Sequence, residues 1–176
     1  MATNWKIDPT HSEIQFKVKH LMITTVTGNF NEFEGSATTE SDDFGTGSQS
    51  EFTATISSIS TNNEQRDEHL KSADFFDAAQ YPTLSFKSTK TEGSGDDIKI
   101  YGDLTIKGVT KPVVLNAEFG GIVVDPYGQT KAGFTVSGKI SRKEFGLTWS
   151  AVTEAGSVVV SDDIRLLAEV QFVKQG

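Results

Sequence analysis

The chain has 176 residues, 36% hydrophobic and 23% charged, which is enough apolar material for one domain with a sizeable core and too much for a disordered chain. Its formal charge of −8 repels phosphate backbones, and no basic run with interleaved aromatics offsets this, so nucleic acid is excluded as a partner. The absence of cysteine excludes disulfides, thiolate chemistry and cysteine-ligated metal, and the apolar stretches are too short for a membrane span.

The first residues, Met1-Ala2-Thr3-Asn4-Trp5, show no charged and apolar leader. The sequence as it stands reads as cytoplasmic, and as periplasmic if a leader has been removed. Asp8, His11 and Ser12 then place triad residue types within five positions. Triads are assembled by geometry from separate elements, which favours a turn here. Ile14, Phe16, Val18 and His20 alternate with Glu13, Gln15, Lys17 and Lys19, the period of a half-buried strand. His20 on this apolar face has two readings: a buried histidine bonded to backbone, or a polar anchor in a pocket. Val26 to Glu40, with Phe30 and Phe33, forms the next strand, and Asp42 to Gly47 turns the chain into Phe52, Ala54 and Ile56.

Asn62 to Ser72 breaks the alternation and contains helix formers. Asn62 can cap this helix, with Gln65 three residues on as in a capping box. Phe75 and Phe76 follow, as a tail that closes one end of the structure. Alternation then resumes at Leu84 and Phe86, at Ile98, Ile100, Leu104 and Ile106, and at Val113, Leu115, Ala117 and Phe119. Asp125-Pro126-Tyr127-Gly128 has the composition of a type I turn. Ala132, Phe134, Val136 and Ile140 come next, then Phe145, Leu147 and Trp149, and the last strand carries Ile164, Leu166, Ala168, Val170 and Phe172. The four prolines are expected at strand ends or turns. The acidic pairs Asp42-Asp43, Asp96-Asp97 and Asp162-Asp163 lack the loop a calcium site needs.

The count is eight long strands joined mostly by short turns. This predicts an all-β fold, an eight-stranded antiparallel up-and-down barrel with a short helix between strands 3 and 4, forming a single domain over residues 1–176. Phe16, Val18, His20, Phe30, Phe52, Phe86, Leu104 and Phe134 face inward, Phe75 and Phe76 sit at the mouth, and Phe145, Leu147 and Trp149 form a further wall. A barrel of this size is either filled by side chains or holds one ligand, and the residues alone leave both open.

Three runs carry a family resemblance. The first is Trp5-x-Ile7-Asp8-x-x-His11-Ser12-x-Ile14-x-Phe16-x-Val18-x-His20-Leu21 with Gly28-x-Phe30. The second is Arg66-Asp67-x-His69-Leu70-x-Ser72-x-x-Phe75-Phe76-Asp77 with Tyr81-Pro82 and Phe86. The third is Gly102-x-Leu104-x-Ile106-x-Gly108-Val109-Thr110-x-Pro112-Val113, followed by Ala132-Gly133-Phe134 and Ile140-Ser141-Arg142-x-x-Phe145-Gly146. Together they resemble the YceI-like family over nearly the whole chain. The resemblance implies a lipocalin-like barrel that binds a long isoprenoid chain or similar fatty amphiphile. It also implies that homodimers occur among members, that many are periplasmic, and that there is no established catalytic set.

The expectation is therefore a lipid-binding carrier, storage or stress-related module, not an enzyme, with no cofactor and no metal. Arg66 and Arg142 are the candidates for an anionic head group, each with the alternative of a surface salt bridge. The competing reading is an isomerase or hydrolase acting on a small hydrophobic substrate, with His20 as its acid or base. A barrel serving only as an interaction scaffold is the third.

Overall fold

The computed structural model describes residues 2–20, 23–40, 44–45, 47–94, 96–147 and 160–175. The strands are β1 (Ala2–Ile7), β2 (Glu13–His20), β3 (Thr24–Phe30), β4 (Phe33–Glu40), β5 (Gln49–Thr55), β6 (Ile59–Ser60), β7 (Thr83–Ser94), β8 (Asp97–Ile106), β9 (Val109–Val124), β10 (Thr130–Ser141) and β11 (Val160–Gln175). One helix, α1 (Glu64–Lys71), lies between β6 and β7.

These strands make eight passes of the chain. β1 and β2 both pair antiparallel with the same long β11, through Ile7↔Phe172 and Ile14↔Ala168. They are one pass interrupted by a 3-10 turn at Pro9–His11. β3 and β4 likewise form one pass, against β2 and β1, and β5 and β6 form another, against β4 and β3. The expected strand from Val26 to Glu40 is thus broken at residues 31–32. The breaks in these three neighbouring passes lie level with one another. The second and third are tied by Asn31 N–H donating to Ser58 O at 3.2 Å and Thr55 N–H to Glu32 O at 2.9 Å, which keeps these backbone groups paired at the break.

β7, β8, β9 and β10 follow as a meander, and β11 pairs with β10 on one edge and with β1 and β2 on the other. The sheet therefore closes into an eight-stranded antiparallel barrel. Alternation sets the two faces. On β9, Val113, Leu115, Ala117 and Phe119 turn inward, while Pro112, Val114, Asn116 and Glu118 are exposed.

Two local expectations shift. Asn63, not Asn62, caps α1, its side chain accepting from Arg66 N–H at 3.0 Å, while Asn62 adopts a left-handed φ of 63°. Pro112 lies inside β9 and not at its end; it is tolerated because β10 pairs with β9 only from Asn116 onward, so this stretch has a partner on one edge. The Asp125 turn forms as its composition requires, with Gly128 N–H reaching Asp125 O at 3.0 Å.

Candidate functional site

Aromatic side chains fill both ends of the barrel. At one end Trp5 is fully buried, and its indole N–H donates to Thr39 Oγ1 at 3.0 Å. Phe44, drawn from what the sequence reads as a polar turn, inserts here with its ring centre 4.8 Å from both Trp5 and Phe134. At the other end the segment after α1 folds inward. Phe76 meets Phe30 edge-on at 6.2 Å, Phe75 packs against His69, and Phe145 and Leu147 complete the plug.

Between the plugs lies an apolar cavity of about 200 Å³. The inward residues beside it, among them Ile14, Phe52, Ile100, Leu115 and Leu166, are only partly buried even though their strands turn them to the interior. Their remaining accessible surface faces this space. An apolar cavity on that scale stays free of water and takes up hydrocarbon.

Of the residues that the sequence points to, Phe16, Phe30, Phe52, Phe86, Leu104 and Phe134 line the cavity. Phe75, Phe76 and Phe145 belong to the plug beside it, and Val18, on the inner face, does not reach it. Trp149 lies outside the described residues, and only the backbone of His20 is described. Arg66 and Arg142 do not line the cavity. Arg66 is exposed, and its guanidinium donates to Thr61 Oγ1 and Thr61 O, both at 2.7 Å. Arg142 is 1% exposed and donates to Leu147 O at 2.6 Å and Ser161 O at 2.9 Å, fastening the turn after β10 to the start of β11. Burial lowers its pKa, and the nearby Asp162 carboxylate opposes that shift.

The lining not named as such from the sequence includes aliphatic residues: Ile14, Ile98, Ile100, Leu115 and Leu166. All of these stand at inward positions of the alternation. Phe44 had no such signal beyond being a large apolar ring between acidic residues and glycines.

Asp8 and His11 do meet, Oδ2 to Nδ1 at 2.9 Å, but Ser12 Oγ accepts from Gln171 N–H at 3.0 Å, and no triad is assembled. Lys131 joins the pair, its ammonium 2.9 Å from Asp8 and 3.5 Å from Asp125. Partial burial disfavours the Asp8 charge. The hydrogen bonds from Thr10, Lys131 and His11 outweigh it and hold the carboxyl well below the usual carboxylate range. The hydrogen bond to Asp8 raises the Lys131 pKa. This cluster ties the break in the first pass to β10, and it lies outside the apolar cavity.

A closed up-and-down barrel, plugged at each end by aromatic rings around an apolar hollow, defines a class of small cavity-bearing β-barrels. The chain belongs to the YceI-like domain family, whose profile matches residues 5–172. It is 37% identical over 173 residues to a UPF0312 protein of Staphylococcus aureus strain USA300, covering 97% of each chain. It is also similar to the crystal structure of a Campylobacter jejuni YceI protein, at 36% identity with a TM-score of 0.76 over 90% of each chain. A polyisoprenoid-binding domain from Saccharophagus degradans shares the fold, with a TM-score of 0.66 at 14% identity over 97% of this chain and 98% of that one.

Proposed function

We propose that this protein binds a long apolar lipid, a polyisoprenoid or similar amphiphile, inside the barrel and serves as its carrier or store. The observation that carries the reading is the hollow itself: inward side chains keep accessible surface around an apolar space. The Saccharophagus degradans domain, described as polyisoprenoid-binding, lends support through its shared fold.

The energetics suit a tail with little polar recognition. Each CH₂ moved from water into such a lining contributes about 0.8 kcal/mol. A tail of about twenty carbons gathers on the order of 16 kcal/mol gross by that rule once all of it is enclosed, which the hollow of about 200 Å³ does only in part. Lost freedom removes several to more than ten of these. A tail longer than the hollow displaces a plugging ring, and Phe44 is carried on a turn, not on a strand.

The chemistry of the lining favours binding over turnover. Among the described lining residues Glu51 is the single titratable side chain, and it is exposed. An enzyme would need an acid or base against the apolar stretch.

Native mass spectrometry of the purified protein, before and after organic extraction, tests the reading. A bound mass that leaves on extraction and returns when a long-chain prenol is offered is the expected result. An unchanged bare mass and no uptake would overturn it.

A further inference from the structure

The barrel wall splits between β5 and β7, and the polar lining of the cavity gathers there. β5 and β7 pair from Thr55↔Thr83 to Glu51↔Lys87 and no further. Beyond that level β5 continues against β4, while β7 shifts register at residues 88–90 and continues against β8. Two side-chain bonds span the seam: Ser50 N–H donates to Ser88 Oγ at 2.8 Å, and Thr91 Oγ1 donates to Ser48 O at 2.9 Å. Ser48, in turn, holds the Phe44 turn through a 2.8 Å bond from its hydroxyl to Phe44 O. The cavity reaches Ser48, Gln49, Ser50, Glu51 and Thr91 at this place, and apart from Gln15 on β2 its remaining lining is apolar or glycine.

No Lys, Arg or His lines the cavity among the described residues. Residues 41–43, 46 and 148–159 contain none of these types either. His20 stands at the far end of its chain pass from Trp5, and Trp5 is level with Ser50 through Ala37. The cations nearest the seam in sequence, Lys87 and Lys90, are exposed and paired with Glu51 at 3.8 Å and with Glu92. The one charge on the lining is the Glu51 carboxylate. An anion brought here would lose water and face the Glu51 carboxylate, with which the nearby Lys87 is already paired. A hydroxyl would find serine and threonine oxygens and backbone carbonyls.

We infer that the β5–β7 seam holds the polar end of the bound lipid, and that this end is an uncharged hydrogen-bonding group, such as an alcohol, and not a phosphate or carboxylate. The inference rests on the lipid-binding reading above and specifies its ligand.

The test compares geraniol-type probes of one chain length on the intact protein: geranylgeraniol, geranylgeranyl monophosphate and geranylgeranoic acid, with the headless hydrocarbon phytane alongside. At neutral pH the alcohol is expected to bind roughly tenfold or more tighter than either anion, since each anion must be desolvated beside the Glu51 carboxylate. Thr91→Val is expected to weaken the alcohol several-fold and leave phytane unchanged. Glu51→Gln, on an exposed side chain, is expected to improve the two anions relative to the alcohol. Equal or tighter binding of the phosphate or acid by the unaltered protein overturns the inference while leaving lipid binding intact. Insensitivity of all probes to both substitutions also overturns it. Failure to bind any of the four overturns the lipid-binding reading, and this inference with it.

Discussion

Phe16 lies over Gly28, the residue directly opposite it on the neighbouring strand, so closely that a Cβ at position 28 would enter the phenyl ring. The glycine leaves the space that this ring occupies, and the ring is thereby held against the wall instead of across the hollow. Gly28→Ala forces the ring inward. The expected cost is about 1–3 kcal/mol, the range for overpacking a formed core. Uptake of a long-chain probe should fall in the same variant. Urea unfolding with a binding isotherm checks both, and an unchanged isotherm would show that the Phe16 ring does not limit the cavity.

Phe44 makes ring contacts with Trp5, Phe119, Phe134 and Phe172, yet it sits on a turn. Phe44→Ala removes the centre of that cluster. Deleting a buried phenyl ring costs about 3–5 kcal/mol where the site cannot collapse. That range is the expected cost here. The same change opens the barrel end, so a bound fluorescent lipid should dissociate faster. Stopped-flow dissociation checks this, and an unaltered rate would place access elsewhere.

The barrel was legible because alternation states which side of each strand is apolar, and a count of such strands with short turns leaves few architectures. Ile14, Leu115 and Leu166 were readable as inward for the same reason. Period-2 spacing says nothing about how much room remains between opposite walls, so core and cavity could not be separated in advance. The aligned breaks at residues 8–12, 31–32 and 56–58 depend on neighbours far away in sequence. Arg142 could not be recognised as a structural tie, because its partners Leu147 O and Ser161 O are backbone atoms, which every residue supplies. Phe44 looked like a turn residue because its neighbours are, and only the packing shows where its ring goes.

Arg142 tests the difference between a head-group ligand and a tie within the fold. Its planar fork serves two carbonyls on separate segments, which a lysine cannot reproduce. Arg142→Lys is expected to lose on the order of 2 kcal/mol, and Arg142→Met more, since the carbonyls are then left without a donor. Lipid uptake by the folded fraction should be unaffected by Arg142→Lys. A changed preference between alcohol and phosphate in that variant would instead bring the guanidinium to the ligand.

Asp8 and Lys131 give the fold a pH signature at both extremes. The folded Asp8 carboxyl is held below its unfolded value, so its contribution is complete above the unfolded value and is lost as pH falls through the folded one. Lys131 is raised, so its contribution is complete below its unfolded value and is lost as pH rises through its folded one. With unfolded values of about 3.9 for Asp and about 10.4 for Lys, the pair contributes fully between roughly pH 5 and pH 10. Asp8→Asn removes the nearer of the two carboxylate partners of a nearly buried ammonium and should lower the urea midpoint across that window. The gap between variant and wild type should narrow below about pH 4 and again above about pH 10, where one member of the pair loses its charge advantage. Comparing the two proteins cancels the depressed Asp162 carboxylate, which lies outside the cluster, whereas Asp125 shares Lys131 with Asp8 and keeps part of the ion pairing in the variant. A gap that stays constant from neutral pH into strong acid would mean that the Asp8–Lys131 contact contributes shape and not charge.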